Sequence, residues 1–166
     1  MRRRPAGMTV TRRDAAEQGR VDTALVDIFE QHIVFNQVLG LKVASVRPGD
    51  VRGTLAMRPE LVGHAAYGRL HGGVISSVLD AMGALALMVS MAENHPHEST
   101  GQVLQRFMKL ATIDLRVDFL RQGQGLHFVA TAEVSRLGGR VGSTQMRLLN
   151  DTGMLVSTAA AAYMLG

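Results

Sequence analysis

Two features of residues 71 to 92, HGGVISSVLDAMGALALMVSMA, bear on chemistry before any fold is known. Asp80 is the single ionisable side chain between Gly72 and Ala92, in a run otherwise made of apolar and small residues. A carboxylate enclosed in an apolar helix is unfavourable unless it is paired or used, so Asp80 asks for a functional account before a structural one. Gly72 and Gly73 open the same run and leave bare backbone N–H groups at the positive end of a helix, a terminus that suits an oxyanion.

Periodicity supplies the scaffold that holds these groups. The run is long enough to cross a bilayer, but Asp80 would then sit near the membrane centre at about 3 kcal/mol. The flanking segments also alternate like a soluble sheet, so the helix is expected to be buried in protein. Asp14 to Leu39 carries Leu25, Ile28, Phe29, Ile33 and Val34 at helical spacing and stops at Gly40, which predicts one amphipathic helix. Val43 to Val46 and Val51 to Leu55 flank Arg-Pro-Gly-Asp at 47 to 50 and read as a hairpin; a polar loop, Arg58 to Leu70, leads into the apolar helix.

After a break at Glu93 to Gly101, Ile113, Leu115, Val117 and Phe119 alternate with polar residues from Thr112. Leu126 to Val134 repeats the pattern after the Arg-Gln-Gly-Gln-Gly turn, and two further strands near 141 to 149 and 154 to 164 are separated by Asn-Asp-Thr-Gly. One fully apolar helix against an antiparallel sheet of five or six strands is an α+β layer design, in which the sheet wraps the helix or a second subunit covers it.

The 166 residues allow one domain. With 46% hydrophobic and 19% charged residues the chain is expected to fold, over residues 14–166. Residues 1–13 read as a disordered basic arm, carrying Arg2, Arg3, Arg4, Arg12 and Arg13, or as untranslated sequence if Met8 is the true start. They contribute much of the net charge of +4. Two tyrosines, five phenylalanines and no tryptophan supply no stacking set, so no nucleic-acid partner is expected. The absence of cysteine excludes disulfides, thiolate metal sites and a thiol nucleophile, and the expected location is the cytoplasm.

GRLHGGVISSVLDAMGALA followed by TIDLRVDFLR resembles the hot-dog-fold acyl-CoA thioesterases of the phenylacetate-pathway (PaaI-like) type, over roughly residues 25 to 164. His-Gly-Gly with an aspartate nine positions after the histidine is the most specific part of the likeness. The resemblance implies an antiparallel sheet wrapped around a long central helix, and hydrolysis of acyl-CoA to a carboxylic acid and free CoA without a metal or other cofactor. It implies that Asp80 directs or activates water, or acts as nucleophile, and that the Gly72 N–H, with Gly73 beside it, binds the carbonyl oxygen. Gly72 and Asp80 are eight residues apart, about 12 Å of helix rise, too far for one chain to hold one carbonyl between them. An antiparallel pairing of two helices across a twofold axis removes the difficulty. The family is built as such homodimers, often paired into homotetramers.

The same resemblance makes His71 a site-lining or structural residue and Thr112 a partner of the attacking water. The family's asparagine before His-Gly-Gly is missing: Ala65 stands six residues before His71 and His64 seven, so His64 takes the polar role if the loop is one residue longer. Arg136 and Arg140, around Leu-Gly-Gly, offer guanidiniums to the CoA phosphates, and Arg121 is a further candidate. A non-catalytic acyl-CoA sensor on the same fold is the alternative, and an enoyl-thioester hydratase a third reading whose His-Phe-Pro-type signature this chain lacks.

Overall fold

The computed structural model describes residues 12–165. The arm's Arg2, Arg3 and Arg4 therefore lie outside the described residues. Helix α1 (Ala15–Asp27) starts at Asp14, whose carboxylate accepts from the Glu17 N–H at 2.7 Å. Its inner face is Val21 and Leu25, continued by Phe29.

The single helix expected over Asp14 to Leu39 is three pieces. A π-helical turn, Ile28–His32, succeeds α1, the chain extends at Ile33 (ψ 95°), and α2 (Val34–Leu39) begins a new helix. The wider turn rotates the residues beyond it: Asn36 and Leu39 now point inward, while Val34 is 70% exposed instead of continuing the buried stripe. Asn36 pins the break by donating its amide to the Phe29 carbonyl at 2.9 Å, which satisfies a carbonyl that the irregular turn leaves over.

Strands β1 (Lys42–Arg47) and β2 (Asp50–Ala56) form the expected hairpin, with Gly49 at φ 76° in the turn. The segment read as a polar loop contains a small antiparallel pair, β3 (Val62–His64) and β4 (Arg69–Leu70). Helix α3 (Gly72–Asn94) is the apolar run, and α4 (Thr100–Phe107) comes after it. Sequence periodicity did not anticipate α4, although Ser99 and Gln102 close a reciprocal capping box at its start. The strands β5 (Ala111–Phe119), β6 (His127–Leu137), β7 (Val141–Asn150) and β8 (Leu155–Met164) match the alternating segments.

Six strands make one antiparallel sheet in the order β1-β2-β6-β7-β8-β5, so β1 and β5 are its edges. Helix α3 lies along the inner face. Leu79, Met82, Leu85 and Leu87 are fully buried there against Phe128, Met146 and Leu148, each such side chain contributing about 1.5–3 kcal/mol. That packing accounts for the helix's apolar character. Arg13 sits at the far end of α3, its guanidinium donating to the carbonyls of Ala92, His95 (2.6 Å) and Glu98 (3.0 Å).

Candidate active site

Asp80 projects from the middle of α3 toward the end of the sheet where β5, β8 and β7 lie side by side. Cross-strand register sets what it meets. Thr112 pairs with Tyr163, and Tyr163 pairs with Gly142 on its other side, so the Thr112 and Tyr163 side chains leave the sheet on the same face. Both reach the aspartate: the Thr112 hydroxyl donates to Asp80 Oδ1 at 3.0 Å, and the Tyr163 hydroxyl lies 3.1 Å from the same oxygen and 2.8 Å from the Asp80 carbonyl. Oδ2 has no hydrogen-bond partner among the described residues.

Tyr163 is wholly buried. Burial, then the Asp80 charge and its hydrogen bond, push the Tyr163 phenol far above the ordinary tyrosine range, with Thr144 opposing the shift. The hydroxyl therefore stays protonated and acts as a donor. Gly83, one turn after Asp80, is where this hydroxyl approaches the helix. A Cβ there would stand 2.3 Å from Tyr163 Oη and 2.8 Å from Thr144 Oγ1. The space that Gly83 leaves beside Asp80 is filled by Tyr163 and Thr144.

At the start of α3, His71 is the N-cap. Its Nδ1 accepts from the Gly73 N–H at 2.9 Å, so a neutral ring carries its proton on Nε2. The Gly73 donor is thereby occupied, whereas the Gly72 N–H has no acceptor among the described residues. A Cβ at Gly72 would stand 3.5 Å from the Phe119 ring. Helix α3 holds Gly72 and Asp80 eight residues apart, about 12 Å along its axis, so one chain presents them as separate half-sites.

The remaining candidates divide between the two ends of the sheet. Arg136, at the end of β6, and Arg140, on the β6–β7 turn, are exposed at the end that carries Thr112 and Tyr163; Arg121 comes just after β5 at the Gly72 end, with one guanidinium nitrogen donating to the Leu155 carbonyl at 3.0 Å. His64 is exposed, its ring 4.7 Å from that of Tyr67, and no hydrogen bond joins it to Asp80 among the described residues. Tyr163 and Thr144 were missed by sequence reasoning. The available signal was one hydroxyl-bearing aromatic in the inward register of Ala159 and Ala161, which needs a polar partner when buried.

The chain is similar to proteins named as thioesterases. It is 36% identical over 140 residues to the medium/long-chain acyl-CoA thioesterase YigI of Salmonella typhimurium, covering 84% of this chain and 90% of the relative. YigI of Escherichia coli K12 is 35% identical over the same share of each chain. A crystal structure from Shewanella oneidensis, of a protein related to the thioesterase superfamily, superposes with a TM-score of 0.84 at 34% identity, over 90% of this chain and 97% of that one. The Escherichia coli PaaI protein from the phenylacetic acid degradation operon shares the fold at a TM-score of 0.70 and 17% identity, over 89% and 94%. The family model of the thioesterase superfamily matches residues 67–157, from the β3–β4 connection through α3 to β8. The chain belongs to the thioesterase superfamily and has its hot-dog fold.

Proposed function

We propose that this protein hydrolyses acyl-CoA thioesters to a carboxylic acid and free CoA at a site shared by two subunits. The carrying observation is the state of the two half-sites: Asp80 is oriented by donors on Oδ1 while Oδ2 is unengaged, and the Gly72 N–H has no acceptor among the described residues.

In the reaction, Asp80 Oδ2 of one subunit takes a proton from water as the water oxygen bonds to the thioester carbonyl carbon. The oxyanion that forms is held by the Gly72 N–H of the other subunit at the positive end of α3, an interaction typically worth about 3 kcal/mol. Collapse of the tetrahedral adduct breaks the C–S bond, and the thiolate of CoA recovers the proton from the Asp80 carboxyl. His71 fixes the start of α3 beside the carbonyl, with Gly73 as the donor that it caps. Arg136 and Arg140 supply positive charge for the CoA phosphates, with Arg121 and His64 at the opposite end of the site.

The exposed edge strand β5, with Ile113 at 57% and Phe119 at 55% exposure, favours a twofold partner along that edge. The reading is of a homodimer, paired again into a tetramer and acting in the cytoplasm. Medium-chain acyl groups are the favoured substrates, since both YigI relatives bear the name medium/long-chain acyl-CoA thioesterase; aromatic acyl groups are the second class.

The test is thiol release from decanoyl-, palmitoyl- and phenylacetyl-CoA, which a cysteine-free chain reports without background. Asp80→Asn should lower turnover by about 10²–10⁴-fold with the oligomer and thermal midpoint retained. Full activity in Asp80→Asn removes the mechanism. Binding of these thioesters without turnover by the wild-type protein favours the acyl-CoA sensor instead.

A further inference from the structure

We infer that Thr112 and Tyr163 form a positioning pair for Asp80, jointly holding Oδ1 so that Oδ2 alone is presented to the reacting water. The inference rests on the hydrolytic reading above and names residues through which its base is aimed.

The geometry is specific. Two hydroxyls from neighbouring strands converge on one carboxylate oxygen, at 3.0 Å from Thr112 and 3.1 Å from Tyr163, while Tyr163 also contacts the Asp80 carbonyl at 2.8 Å. A carboxylate on a helix turns about two side-chain torsions. The one phenol proton is shared between the Asp80 carbonyl and Oδ1, and together with the Thr112 donor it restricts both torsions. Tyr163 is wholly buried, so it has no access to substrate and acts only through Asp80. Its hydroxyl is itself located by Gly83, whose lack of a side chain admits it, and by the buried Thr144. Thr112 is exposed on the edge strand and bears on the same oxygen from the open side. The relay therefore runs from the sheet interior to the helix face, and each member meets the next through a hydroxyl or a carboxylate.

Positioning differs from substrate binding in what it changes. A displaced base lowers kcat and leaves KM where it was, because ground-state contacts are intact. With decanoyl-CoA as probe, Tyr163→Phe and Thr112→Val should each lower kcat by roughly 10²-fold, at unchanged KM. The double variant should lose less than the product of the two single losses, since both donors address one oxygen. Thr112→Ser, which keeps the hydroxyl, should restore most of the rate lost in Thr112→Val. Multiplicative losses, a change confined to KM, or no rescue by serine would overturn the proposal. Thr112 is outside the monomer core, so its variants, once shown to keep the wild-type oligomer, remain informative if Tyr163→Phe unfolds.

A readout without turnover separates this inference from the functional one. With Tyr67→Phe as background, Tyr163 is the chain's single tyrosine, and its ultraviolet resonance Raman doublet reports how strongly the hydroxyl donates. Asp80→Ala in that background should move the doublet toward weaker donation. An unmoved doublet refutes the Tyr163 contact with Asp80 Oδ1, since Asp80→Ala keeps the main-chain carbonyl, whether or not any thioester is hydrolysed; a wild-type protein inactive on every thioester refutes the function while leaving the contact testable.

Discussion

Helix α3 is finished differently at its two ends. At its C-terminal end Arg13 spreads one guanidinium over the carbonyls of Ala92, His95 and Glu98, its own N–H reaches the Pro96 carbonyl at 2.7 Å, and His95 turns its ring onto the Met91 carbonyl. The Ala92 carbonyl in the helix's last turn and two carbonyls of the loop that succeeds it are met there by a cation, the charge that the negative end favours. At its N-terminal end the cap stops one step short: His71 takes the Gly73 donor and leaves that of Gly72 open. The completed end does structural work. The incomplete end keeps one N–H donor without an acceptor among the described residues, the donor that the proposed reaction assigns to the oxyanion.

That contrast can be broken from either side. Gly83→Ala should be the most damaging change, because its Cβ would fall 2.3 Å from the Tyr163 hydroxyl. Turnover should drop by roughly 10²-fold and chemical denaturation should show a loss of about 1–3 kcal/mol from overpacking; wild-type kcat in this variant would detach Tyr163 from the chemistry. Arg13→Ala should do the opposite kind of harm. Removing a charged donor shared by three carbonyls should lower stability by about 1.5–3 kcal/mol in a urea titration, with kcat/KM for decanoyl-CoA unaltered.

The smallest effect is expected from Glu17, which also works at a helix end. The Thr100 N–H and hydroxyl both donate to Glu17 Oε1, at 2.9 and 2.7 Å, and these bonds hold its carboxyl at about 2, below the ordinary 4.5. A carboxyl depressed in the folded state stabilises fully above its ordinary value and ceases to do so as pH falls through the folded one. Thermal midpoints measured between pH 4.5 and about 2 should therefore fall less steeply in Glu17→Gln than in the wild type.

The parts of this protein that its sequence announces are those with a strong local period. Helix α3 was legible because nothing in 72 to 92 is charged except Asp80, and β5 to β8 because apolar and polar residues alternate along their sequence; the bulges after Thr112 and Val134, which break that alternation in the sheet, were not. The candidate site's first members, Asp80 and Gly72, drew attention for the same reason: each departs from its surroundings. Tyr163 was not, since its partner is fixed by the register of β8 against β5 and β7, a non-local quantity. The π turn at Ile28–His32 escaped because one added residue shifts a helical stripe without erasing it, and α4 because eight residues are too few for periodicity to stand out.

Arg13 is separated from His95 by 82 residues along the chain. Closing a loop of that length is entropically slow compared with winding a helix. During folding, α3 can therefore wind and settle against the strands while its last carbonyls still face water, and the N-terminal segment locks them afterwards. A contact made that late opposes unfolding far more than it speeds folding. The arginine that closes the back of the central helix thus acts on how long the assembled enzyme lasts, leaving the rate of its assembly to the sheet.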